Sequence, residues 1–395
     1  MRVTSMVPDV EYAVQQSQQN LSTALQQLST GLRVNQPSDN PVASASMVIS
    51  LAQSANVDQY TTNVTTVSGQ LQTSDNAIAA VITSLNSAIT LATAAPSSTI
   101  TAANRQAIAA QVAGVLQNVI SQANSSYQGS FLFAGSASSG APFVAASTAY
   151  TSQNGSLTAS SPLEAGSVTT VSDAATGQTF TYTAAAGDTV GDLESAVSAA
   201  VTAGTLSSGT SATINSSGEL AISSATGLVA SSTDSTLGLV SASGTALTNA
   251  YAYVGNSTVN KVQVGDSTSV ATNIPGNQLF TSGTNVIGSL TTLINAIQSG
   301  SDSGIAAASN GISTAIDYLS EQRIPLDSTI SRLSDQESYL SQETLTLTTQ
   351  QTALVGADLA TAATNLSQAE LANSAVLAAA SKVLPQTLLN YLAPG

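Results

Sequence analysis

The chain contains no cysteine, no histidine and no tryptophan, and only seven of its 395 residues are Lys or Arg. Each absence closes a class of function. Without cysteine there is no disulfide framework, no thiolate nucleophile and no soft metal ligand. Without histidine as well, neither a Ser-His-Asp nor a Cys-His arrangement can be assembled. A formal charge of −15 leaves no basic face to neutralise phosphates, which argues against nucleic acid and against anionic membrane surfaces as partners. Aromatic residues supply only 4% of the sequence, so its cores must be thin and its elements should gain stability by packing against copies of themselves.

Carboxylates remain, and they are scattered. Asp188, Asp192 and Glu194 gather at the start of TVGDLESAV, where acids favour the dipole and the first-turn amides of a helix. No GxxxxGK phosphate loop occurs. The expectation is a protein that is not an enzyme, with no cofactor and no metal. The opening MRVTSMVPDVEYAVQQ lacks the apolar run of a Sec-type signal, and SAVLAAASKVLPQTLLNYLAPG is broken by Lys382 and Pro385. Neither segment is expected to insert into a membrane.

What the chain has in abundance is helical periodicity. Val14, Leu21, Leu25, Leu28 and Leu32 follow a four-three spacing on one stripe, and Gly31 suits the left-handed residue that ends a helix. Pro37 and Pro41 keep the next segment extended. A second helix is expected from near Asn40 to Ala43 up to Pro96, and a third from Asn104 to about Ser126. From about 136 to 284 the composition turns to Ser, Thr and Gly, with short alternating runs QTFTYTA, ATINSSGELAIS, NKVQVG and TSVATNI that read as strands. Gly218 fits a hairpin between Ile214 and Ile222, and TVGDLESAVSAAV reads as a helix in a small β-α-β element.

Helical spacing returns near Asn285. From Ile312 the positions Ile316, Leu319, Arg323, Leu326, Ile330, Leu333, Glu337, Leu340, Thr344, Leu347, Gln351 and Leu354 keep a heptad alternation. The polar members are expected to fix register, and Pro325 to kink or start the helix. The expected fold is mainly α with a β-rich insertion. Residues 1–135 form an N-terminal helical part, 136–284 the inserted domain, and 285–395 a C-terminal helical part whose antiparallel coiled-coil helices pack on the first. Arg33 has two readings, a solvated cation near a helix C-terminus or a clamp on a partner's carboxylate.

Four stretches in order, MRVTSM, QLSTGLRVNQPSDNPVASA, GSFLFAGSASSGAPF and YVGNSTVNKVQVGDSTSVATNIPGNQLF, resemble the flagellin superfamily. Within it they are most similar to the junction family, hook-associated protein three. Flagellins usually follow the LSTG-type motif with a DDAAG-like segment, whereas here Pro37-Ser38-Asp39-Asn40-Pro41 is of the junction type. The Leu-Gly-Ala-Arg segment usual after Arg323 is replaced by Leu326-Asp327-Ser328-Thr329.

The resemblance implies a structural subunit joining hook to filament, exported by the flagellar type III route without a cleaved signal peptide and assembled outside the cell. The alternative is a filament-forming flagellin with a junction-like sequence. Implied partners are other copies of the chain, a neighbouring hook-associated protein, flagellin and a cytoplasmic export chaperone. The expected subunit interface combines Leu21, Leu25, Leu28, Leu32, Arg33 and Asp39 with Leu326, Ile330, Leu333, Leu340, Leu347 and Leu354. The expected chaperone contact is Val376, Leu377, Val383, Leu384, Leu388 and Leu389.

Overall fold

The computed structural model describes residues 6–95, 100–242, 246–281 and 284–392. Three helices open the chain, α1 (Met6–Thr30), α2 (Pro41–Ala94) and α3 (Ala102–Ala123). Strands β1 (Ser126–Tyr127), β2 (Ser130–Phe131), β3 (Phe143–Thr151), β4 (Val168–Asp173) and β5 (Thr179–Thr183) precede helix α4 (Val190–Thr202). Then come β6 (Ser211–Ile214), β7 (Leu220–Ser232), β8 (Val240–Ser241), β9 (Ala246–Tyr253), β10 (Lys261–Gln263) and β11 (Ser269–Ala271). Helices α5 (Gly276–Phe280), α6 (Val286–Ser299), α7 (Asp302–Val355) and α8 (Leu359–Leu392) close it. This is a mainly helical chain with a β-rich centre.

The chain separates into a terminal unit, residues up to 62 with those from 337 onward, and a central unit, residues 63–336. In the central unit seven strands form an antiparallel sheet in the order β5-β4-β7-β3-β8, with β6 also on β7 and β9 also on β3. β7 is long enough to pair with β6 through Leu220–Ser223 and with β4 through Leu228–Ser232. Gly218, at φ +74°, closes the β6–β7 hairpin, a conformation that favours glycine. Helix α4 lies between β5 and β6 in sequence, but those strands are not neighbours in the sheet. It lays Val190, Leu193 and Val197 on the sheet against Val171, Leu220, Ile222 and Leu228.

Local chemistry sets the helix ends. Asp192 accepts from Thr189 N at 2.8 Å, completing a capping box at α4, and Asn285 accepts from Gly288 N at 2.8 Å at α6. Asp188 belongs elsewhere: its carboxylate takes the Tyr182 hydroxyl at 2.6 Å and Ala185 N at 2.9 Å. Helix α7 runs through Pro325 without starting there, which departs from one of the two expectations for that residue.

The centre is closed by aromatic side chains from three distant segments. Phe133 and Phe143 pack edge-on against Phe280 at centroid distances of 5.4 and 5.6 Å, and Tyr253 lies 5.2 Å from Phe143. Tyr253 donates to the carbonyls of Phe133 and Asn256 at 3.0 and 2.8 Å, and burial pushes its hydroxyl pKa up to about 12. Two buried carboxylates secure the sheet. Asp173 accepts from the amides of Ala175, Thr176 and Ser207 and from the Ser207 hydroxyl. Asp234 accepts from Glu164 N, Thr236 N and the hydroxyls of Ser167 and Thr236.

By length and composition, part of α2 is apolar enough to cross a membrane. Within the central unit its side chains Val64, Val67, Leu71, Ile78, Val81 and Leu85 are buried in the protein core.

Candidate assembly interface

The terminal unit is organised around two breaks in its helices. Gly31 takes φ +69° and donates to the Gln27 carbonyl at 2.9 Å, ending α1. The chain then pairs with the break between α7 and α8. Leu32 bridges Gly356, Arg33 N donates to the Val355 carbonyl at 2.6 Å, and Ala357 N donates to the Gly31 carbonyl at 2.9 Å. Arg33 also reaches from Nη2 to the Leu354 carbonyl at 3.1 Å, where a cation satisfies the open end of α7. Neither expected reading named this partner, which lies on the same chain 321 residues away.

The proline-flanked segment completes the turn. Asp39 accepts from the amides of Asn35 and Gln36 at 3.0 and 2.9 Å, and Asn40 Oδ1 accepts from Ala43 N at 3.0 Å to start α2. Below it Val34, Ala43 and Val355 form a small buried cluster with Met47 and Leu354 packed on it. Arg33 and Asp39 are themselves exposed.

Helices α1 and α8 pack along each other through small side chains. Ser17 and Ala24 are buried, as is Ala362 on α8, and Ser17 donates to Asn373 Oδ1 at 3.4 Å. Small residues let two helix backbones approach closely. The leucine stripe of α1 flanks this seam: Leu21 is half-buried, while Leu25 is 48% and Leu28 37% exposed.

The α7 ladder behaves differently. Leu340 and Leu347, each 2% exposed, are buried, and in the central unit so are Leu326 and Leu333. Ile330 and Leu354 are half-buried. Two polar ladder positions bond to α2. In the central unit Arg323 grips Asp75 through two bonds of 2.6 and 2.9 Å, the one ion pair among the described residues. In the terminal unit Gln351 Nε2 donates to Ser50 Oγ at 3.2 Å. A bidentate guanidinium-carboxylate pair fixes register as well as adding energy.

Thirteen of the seventeen exposed large apolar side chains among the described residues lie in the terminal unit, although it is the smaller of the two. They include Val42, Val48, Ile49 and Leu51 on α2, Leu345 on α7, and Leu359, Leu371 and Leu377 on α8. Exposed apolar side chains in this number make the terminal unit the candidate for association. Val376 is half-buried; the side chains of Val383, Leu384, Leu388 and Leu389 lie outside the described residues.

Residues 9–138 match the family described as the bacterial flagellin N-terminal helical region. The match covers 130 of the 395 residues. That match spans α1 to α3 and the following turn, including both the Gly31 break and the Phe131-Leu132-Phe133 segment. A protein of Vibrio parahaemolyticus described as a flagellar hook-associated protein shares the fold, with a TM-score of 0.50 at 14% identity. The alignment covers 80% of this chain and 99% of that one. FlgL of Bacillus cereus aligns at a TM-score of 0.44 and 14% identity, over 77% of this chain and 97% of that one. Hook-associated protein 3 of Legionella pneumophila aligns at 0.39 and 10%, over 78% and 98%. No curated protein matches the chain by sequence.

Proposed function

We propose that this flagellin-like chain is a structural subunit of the bacterial flagellum, one that joins hook to filament by helical self-assembly. The observation that carries the reading is the concentration of exposed apolar side chains on the helices of the terminal unit, whose N-terminal part is of flagellin type. Helices that display leucine stripes are completed by the same helices of neighbouring copies.

In this reading Leu21, Leu25, Leu28 and Leu32 are the contact stripe, and Arg33 and Asp39 hold the bend that presents it. Leu326, Ile330, Leu333, Leu340, Leu347 and Leu354 serve the interface from within, by keeping α7 packed. The neighbours are further copies, a hook-associated protein on the hook side and flagellin on the filament side. The subunit leaves the cytoplasm through the flagellar export apparatus without a cleaved signal peptide. Until then a chaperone covers Val376, Leu377 and the apolar positions that follow on α8.

Antibody against residues 136–284, viewed by electron microscopy on flagellated cells, tests the reading. A short band of label at the hook end, with filament protein shed into the medium when the gene is deleted, is the expected result. Label along whole filaments, with bare hooks on the mutant, would identify the filament subunit instead.

A further inference from the structure

In the central unit a groove of 330 Å³ opens between the β10–β11 hairpin and α7. Its floor holds Leu71 and Leu326, and its walls carry Val259, Ile274 and Pro325. Arg332 stands at its edge. This guanidinium is exposed and makes no ion pair among the described residues; neither Asp327 nor Asp335 on the same helix pairs with it. Lys261, in register with Ala271 of the groove wall, is a second exposed cation without an ion pair among the described residues.

Cations are scarce in this chain, seven against twenty-two acids. A free arginine beside an apolar recess is therefore matched to a ligand that brings both a carboxylate and an apolar side chain. Copies of the chain itself offer that chemistry, as where the exposed Asp9 lies three residues before Tyr12, 69% exposed, on one face of α1. We propose that this groove receives an acidic, apolar helix segment of a second copy, with Arg332 holding the carboxylate. The inference rests on the reading of the chain as an assembling subunit.

Because the chain has no cysteine, a single Ile274→Cys change places a photo-activated cross-linker in the groove of the full-length protein. Under assembly conditions the expected product is a covalent dimer, mapped by mass spectrometry to an acidic helical peptide of the other copy. Arg332→Glu should lower its yield about tenfold, the factor that accompanies loss of one charge-assisted contact, whereas Arg332→Lys should retain most of it. Thermal melts of Arg332→Glu and of the milder Arg332→Gln check folding, and a graded loss across the two at unchanged melting temperature supports the contact. Polymers that form without any groove cross-link, an undiminished yield in Arg332→Glu, or a cross-link to a different protein would each overturn the docking proposal while leaving the structural role intact. Absence of the chain from flagella in the labelling experiment would overturn both.

Discussion

In the central unit Phe133, Phe143 and Phe280 are fully enclosed and even the carboxylates of Asp173 and Asp234 are buried among hydrogen-bond donors. In the terminal unit Leu25, Ile49 and Leu371 stand in solvent while Ser17 and Ala24 fill the seam between helices. One region completes its own core, and the other leaves thirteen large apolar side chains exposed beside the buried Leu340 and Leu347. The difference has an energetic basis. Large apolar groups stabilise whichever contact buries them, so those left exposed in the terminal unit add little to the fold of the isolated chain.

The sharpest way to break the comparison is to remove a ring from the central core. Phe280→Ala should destabilise the protein by about 3–5 kcal/mol, because two aromatic contacts vanish and a cavity is left, read from denaturant unfolding. A loss near zero would mean that the centre is no better packed than the ends. A double-mutant cycle on Asp75→Ala and Arg323→Leu should return a coupling of about 1–2 kcal/mol, the expectation for a partly exposed bidentate pair.

Acid should touch the buried carboxylate of Asp234 next. Burial pushes Asp234 upward, but hydrogen bonds from Thr236, Glu164 and Ser167 outweigh it and hold its pKa below the ordinary carboxylate value. The folded-state pKa is depressed, so its stabilisation is fully present above about pH 4 and is lost as pH falls through the lowered value. Unfolding free energies measured across that range should slope downward in the native protein and less steeply in Asp234→Asn.

The smallest effect on stability is the most informative for the proposed role. Leu25→Ser with Leu371→Ser should change unfolding free energy by less than about 0.5 kcal/mol, as surface substitutions do, yet sharply reduce sedimenting polymer. Loss of stability comparable to a core substitution would show that the stripe already serves the isolated chain.

Features set by neighbouring residues were legible beforehand. Gly31 ends α1, Gly218 turns a hairpin, Asn285 starts α6, and the TVGDLESAV acids include a helix cap at Asp192. Strand β3 was not, because FVAASTAYT has no strict alternation and its pairing is interrupted by a register shift between Ser147 and Ala149. The break between α7 and α8 was hidden by a ladder that stays in phase up to Leu354, with Gly356 and Asp358, which accepts from Ala360 N at 3.0 Å at the start of α8, as its local signs. The leucine stripe was visible on α1, but its outward position was not. Ser17 and Ala24 lie close to the same helical phase, and only the approach of α8 decides which set is covered.

By itself the sequence determined the ends of α1, α4 and α6 and the β6–β7 hairpin, since capping, left-handed glycine and periodicity act over a few residues. It also determined that no His- or Cys-based chemistry is available. Tertiary structure alone decided that Arg33 closes the end of α7, that Arg323 takes Asp75, and that Phe133, Phe143 and Phe280 meet. Those partners stand 137 to 321 residues apart, by the numbering of Phe143 and Phe280 and of Arg33 and Leu354. Contacts at such separations depend on how whole elements pack, which no local window of the chain encodes.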